Sequence, residues 1–91
     1  MIKELIEQLF EEKDGLYEYI EMAHKAVDPS HRQLFTKIAE DELGHYKEIY
    51  GIIFKDKHPE HMSEIEKSFH RMATRECEAM KAHLAEFKVA K

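Results

Sequence analysis

The sequence predicts an all-α domain of three long helices. Three observations carry that expectation. Only 3 Gly and 2 Pro punctuate 91 residues. Apolar side chains recur at alternating steps of three and four, the period of a helix face. Helix-start signatures stand at just two breaks. With 43% hydrophobic and 36% charged residues the chain has the apolar surface to fold, and its length makes residues 1–91 a single domain. A chain of this size buries only about 60–65% of its unfolded surface, so a bound metal or a second copy would add to a thin margin of stability.

The first helix is expected over about 2–27. Its seam reads Leu5, Leu9, Glu12, Leu16, Tyr19, Ala23 and Ala26. Asp28-Pro29-Ser30 ends it: Asp28 can cap the next helix, Pro29 suits a first turn, and Ser30 with Gln33 offers an alternative capping box. The second helix is expected over about 30–55, with the seam Phe35, Ile38, Glu42, His45, Ile49 and Ile52. Lys55 to Ser63 holds the other break, with His58-Pro59 and a capping pair, Ser63 and Glu66. The third helix is expected over about 60–89, with Ile65, Phe69, Met72, Glu76, Met80 (or Ala79), His83 and Phe87 along its seam. Gly15, Gly44 and Gly51 fall inside helices, where each costs about 1 kcal/mol relative to Ala.

Each seam is apolar except near its middle, where a carboxylate interrupts it. A lone ionised carboxylate in a packed core costs several kcal/mol unless it is paired, protonated or bound to a metal. The depths match. At 1.5 Å per residue, Glu12 and His45 each lie about 25 Å from the first turn and Glu42 about 20 Å. Glu42 and Glu76 each lie about 26 Å from the second turn. An antiparallel bundle would bring these residues to one level.

The composition of that cluster defines its chemistry. Glu42 and His45, at i and i+3, project a carboxylate and an imidazole from one helix face. Glu12 and Glu76 would add anionic oxygens from two other helices. Carboxylate with imidazole and without thiolate suits iron, manganese or zinc. Carboxylate-bridged dimetal bundles take a Glu from each of two helices and a Glu-x-x-His from each of two more. Three of those four contributions are present in this chain, so closure is expected to need a second copy bringing its own Glu42 and His45.

Other classes are disfavoured. The 14 Lys and Arg against 19 Asp and Glu give a net charge of −5. Nucleic acid and anionic membrane surfaces call for a cationic face instead. No apolar run approaches the roughly 20 residues of a membrane span, and the first ten residues carry no signal-peptide pattern. The single cysteine, Cys77, rules out an intrachain disulfide and a four-cysteine metal centre. A cytoplasmic location is the default expectation.

From Glu12 to Ile49 the chain resembles the first helical hairpin of the rubrerythrin and ferritin-like superfamily. The matching residues are Glu12 and Tyr19, the turn at Asp28-Pro29, and Phe35-x-x-Ile38-Ala39-Glu40-Asp41-Glu42-Leu43-Gly44-His45. The spacing is similar also to encapsulated ferritins, whose short chains each supply half a ferritin bundle. Glu76 to His83 repeats the Glu12 to Tyr19 interval, with His83 in the tyrosine slot and no fourth helix. The resemblance implies a two-iron site held by Glu12, Glu42 and His45, with Tyr19 beside it as a catalytic residue and Glu11 and Asp14 along the metal's access route. It further implies a homo-oligomer, dimer or higher, that oxidises Fe(II) with O₂ or peroxide as a ferroxidase or rubrerythrin-like enzyme. Electrons for a peroxidase cycle would come from an external donor protein.

Two other readings predict different behaviour. In one, the chain binds metal without turnover; in the other, it is a metal-free helical oligomer whose glutamates pair with lysines or lie at a wet interface. Among the remaining residues, Tyr46 and Tyr50 read as packing, and Cys77 as an ordinary helix cysteine. His24, His31 and His70 read as surface residues, and His58 and His61 as a solvated loop pair.

Overall fold

The computed structural model describes residues 2–55 and 58–90. Three helices form, α1 (Ile2–Lys25), α2 (Pro29–Phe54) and α3 (Glu64–Ala90), with a 3₁₀ turn (Pro59–His61) before the last. No strand occurs among the described residues. The all-α expectation therefore holds, and the boundaries fall close to those read from the capping residues.

The caps explain the boundaries. Asp28 is extended, and its carboxylate accepts from the Ser30 amide at 2.8 Å and the Ser30 hydroxyl at 2.7 Å. It satisfies a first-turn N–H that the helix leaves without a partner, while Pro29 has no N–H to satisfy. Asp28, rather than the Ser30 and Gln33 pair, thus starts α2. At α3 the capping box is reciprocal. The Glu66 amide donates to Ser63 Oγ and the Ser63 amide to Glu66 Oε1, each at 3.1 Å.

The molecule measures 49 × 24 × 16 Å, with a radius of gyration of 14.9 Å. A compact domain of this length would have a radius of about 12 Å. The shape follows from the helices: 26 residues at about 1.5 Å each already reach roughly 39 Å. α1 and α2 form the main antiparallel hairpin, and α3 lies along it. Tyr46 Oη donates to the Ala73 carbonyl at 3.1 Å, tying α2 to α3. The rings of Phe54 and Phe69 stand 5.7 Å apart at the same interface. Contacts of Tyr17 with His83 and of His24 with Phe87 join α1 to α3.

The core corrects the expected seams on two helices. On α1, Leu9, Leu16 and Ala23 are buried as anticipated, joined by Ile20. On α2 the buried line is Thr36, Ala39, Leu43, Tyr46 and Ile53, one residue later than the expected seam. Ile52 is 57% exposed. On α3, Ala73, Met80, Leu84 and Phe87 are buried, while Ile65 is 82% exposed and Met72 also faces outward. The reason is steric. Ala39 and Ala73 let helix backbones approach closely, and a seam chosen by large apolar side chains passes over such small contacts. The carboxylates of α2 and α3 consequently lie beside the packed core rather than in its centre.

Candidate metal centre

α1 and α2 run antiparallel with Glu12 opposite Glu42 and His45. One ligand atom from each of the three side chains lies within 4.8 Å of the other two. Ligands around one ion at about 2.0–2.2 Å stand about 3–4.4 Å apart, so small side-chain rotations suffice to close the group. Glu12 is nearly enclosed, with its side chain 12% exposed, whereas the His45 side chain is 55% exposed. The cluster therefore opens to the surface on the His45 side.

The electrostatics are those of a site short of positive charge. Glu12 Oε1 accepts from Gln8 Nε2 at 2.8 Å. With Glu42 ionised, the buried Glu12 Oε2 has no hydrogen-bond donor. His45 Nδ1 stands 3.4 Å from it, an ion-pair distance rather than a hydrogen bond. The two carboxylates face each other closely enough to share a proton. The hydrogen bond that protonated Glu42 donates to Glu12, reinforced by burial and by the Glu12 charge, pushes the Glu42 carboxyl up to about 7. The same bond from Glu42, helped by Gln8 and opposed by burial, holds Glu12 below its ordinary range. One proton shared between two carboxylates is what like charges at a single site require.

Gly15 makes room for this arrangement. A Cβ at that position would stand 3.0 Å from Glu42 Oε2 and 3.5 Å from its Cδ. Glu42 thus lies against the α1 backbone one turn beyond Glu12, in space that a Cβ would crowd. In the sequence alone Gly15 shows only as a helix cost. The signal that could have found its role is a mid-helix Gly three residues after a seam carboxylate.

Glu76 is not among the converging donors. It is half-buried on α3, and its charge bears on the hydroxyls of Tyr17 and Tyr46. Burial first, and Glu76 second, raises the pKa of both phenols. Tyr19 is half-buried and packs on Phe35 with ring centroids 6.2 Å apart. His83 is exposed and meets the edge of Tyr17. Glu11 and Asp14 are exposed beside Glu12 and Gly15. His70 departs from its surface reading: it is partly buried, with Nε2 2.8 Å from Tyr50 Oη and its ring against Phe54.

The donor set fits a divalent transition-metal ion. Two carboxylate oxygens and one imidazole nitrogen offer borderline-hard ligands, an enclosed oxygen lacks a donor once Glu42 is ionised, and glycine leaves a cradle for the second carboxylate. Among the described residues no helix is long and apolar enough to cross a membrane. Compared with protein-family models, curated proteins and solved structures, the chain finds no match.

Proposed function

We propose that the chain binds a divalent transition-metal ion, iron foremost, through Glu12, Glu42 and His45, and that a second copy completes a two-metal carboxylate site. The observation that carries this reading is the convergence of these three side chains around a buried Glu12 oxygen that has no donor once Glu42 is ionised. A dication supplies the missing positive charge. The 55% exposure of the His45 side chain supports completion from outside, because the site opens where another hairpin could approach. Three protein donors leave positions for further ligands, as a reactive rather than a purely structural centre requires.

Each residue has a part in the binding step. Glu12 is already ionised and offers Oε2. Glu42 gives up the proton it holds below about pH 7 and becomes the second anionic donor. His45 contributes a ring nitrogen from the open side. Gly15 lets the Glu42 carboxylate lie against α1. A pair of Fe(II) ions held there would supply one electron each, enough with two protons from solvent to reduce O₂ to hydrogen peroxide or hydrogen peroxide to water, and this would extend the ferritin-like resemblance to a ferroxidase or rubrerythrin-like activity. Manganese and zinc suit the same donors, and zinc would bind without redox turnover.

An anaerobic Fe(II) titration of chelator-stripped protein, then exposure to air with absorbance and oligomer mass recorded, tests the reading. Saturation near one or two irons per dimer followed by rapid oxidation supports it. Saturable binding without oxygen consumption would replace it by metal binding alone. Glu42→Ala should abolish the saturable step and leave the helical circular dichroism in place. Iron binding unchanged in that variant would remove the site assignment.

A further inference from the structure

On the α3 side of α2 lies a cavity of about 330 Å³, lined by Lys47 and Tyr50 from α2 and by Thr74, Cys77, Glu78 and Lys81 from α3. None of the three converging metal donors lines it. We infer that this groove is a binding site for a small organic anion with an apolar body, an aromatic carboxylate being the simplest example.

Size, lining and charge lead to that class. The volume is at the small end of ligand pockets, which run from about 300 to 1,000 Å³. The lining is more apolar than polar, which suits a ring or short hydrocarbon. Each wall carries one ammonium group, Lys47 on α2 and Lys81 on α3. Among the described residues the Lys47 ammonium has neither an ion pair nor a hydrogen bond. Lys81 Nζ meets Glu78 Oε1 at 3.3 Å, but the side chains are 44% and 67% exposed, so the pair is weak and open to exchange. Two ammonium groups against one carboxylate make a cationic spot on a chain of net charge −5. A carboxylate held between the lysines completes the charge balance.

Part of the wall is already fixed. Tyr50 Oη lies 2.8 Å from His70 Nε2 and 3.0 Å from Thr74 Oγ1, and Thr74 Oγ1 donates to the His70 carbonyl at 2.9 Å. The Tyr46 to Ala73 hydrogen bond holds the same two helices together. The Tyr50 and Thr74 part of the wall is already ordered and loses little freedom on binding, so the ordering cost falls on the two lysines.

Naphthalene-2-carboxylate is a suitable probe, titrated into the full chain while amide chemical shifts are followed by NMR and oligomer mass by sedimentation. Saturable shifts centred on Lys47, Tyr50, Thr74, Cys77 and Lys81 are expected, with protection of Cys77 from iodoacetamide. The neutral naphthalene-2-methanol should bind the unmodified chain about tenfold more weakly than the acid, and Lys47→Glu should bind the acid about tenfold more weakly, the worth of one charge-assisted contact. Shifts that spread over all three helices without saturating would overturn the inference. So would equal affinity for acid and alcohol, or a groove closed by a second copy at the concentrations used.

Discussion

Replacing Gly15 with alanine sets two local effects against each other. Alanine in a helix interior is favoured over glycine by about 1 kcal/mol, from backbone entropy alone. Without any steric cost, that would raise the melting temperature of a domain this size by about 4–8 °C. The new Cβ, however, would stand 3.0 Å from Glu42 Oε2, where ordinary contact begins near 3.4 Å. The carboxylate is the end of a flexible side chain, so it can withdraw by a few tenths of an ångström and the metal-free fold keeps most of the gain. The metal-binding geometry does not. A ligand displaced from its supported position costs about 10–100-fold in affinity, as loss of orienting partners does at other metal sites. Thermal unfolding with chelator, and Mn²⁺ or Fe(II) titration at one protein concentration, separates the effects. The expected outcome is a metal-free melting point that is unchanged or higher, together with weakened binding. Undiminished metal affinity in Gly15→Ala would refute the argument that this glycine houses Glu42.

The carboxylate pair predicts a pH signature of definite sign. Because Glu42 is raised to about 7 in the fold, its contribution to metal-free stability is full below 4.5 and is lost as pH rises through about 7. Glu12, lowered in the fold, contributes stability above 4.5 that is lost as pH falls. Urea midpoints should therefore be higher near pH 5.5 than near pH 8, and Glu42→Gln should flatten that difference. Metal affinity should climb with pH up to about 7 and level off above it, since binding displaces the Glu42 proton. Tyr46→Phe removes the hydrogen bond to Ala73 and should cost about 0.5–1 kcal/mol, read from urea unfolding. An unchanged midpoint there would mean that the contact between α2 and α3 is not maintained in solution.

The residues that were legible in the sequence are those whose signals are local. Asp28, Pro29, Ser63 and Glu66 act within one turn of their own position, so the helix starts follow from short motifs. Glu12, Glu42 and His45 meet because a hairpin turning at Asp28 fixes their depths by rise per residue alone. What escaped depends on rotation about the helix axis. The buried lines of α2 and α3 turn on Ala39 and Ala73, residues whose small size matters only once two backbones face each other. Glu76 shares the depth of the cluster but faces Tyr17 and Tyr46 instead, and rotation again decides it. Gly15 has meaning only through the side chain it accommodates on another helix.

All three converging donors belong to a single helical hairpin, and α3 supplies none of them. An ion bound there would join positions separated by roughly 30 residues, much as a covalent cross-link closes a loop, and would restrict the unfolded hairpin accordingly. The hairpin is closed by a short turn, so its contacts can form before α3 docks. Metal capture and α3 docking then become separable events. In native-state hydrogen exchange on the metal-loaded chain, α3 amides should open while α1 and α2 stay protected. The third helix is free in that sense to detach, or to trade places with its counterpart on another copy, without releasing the ion.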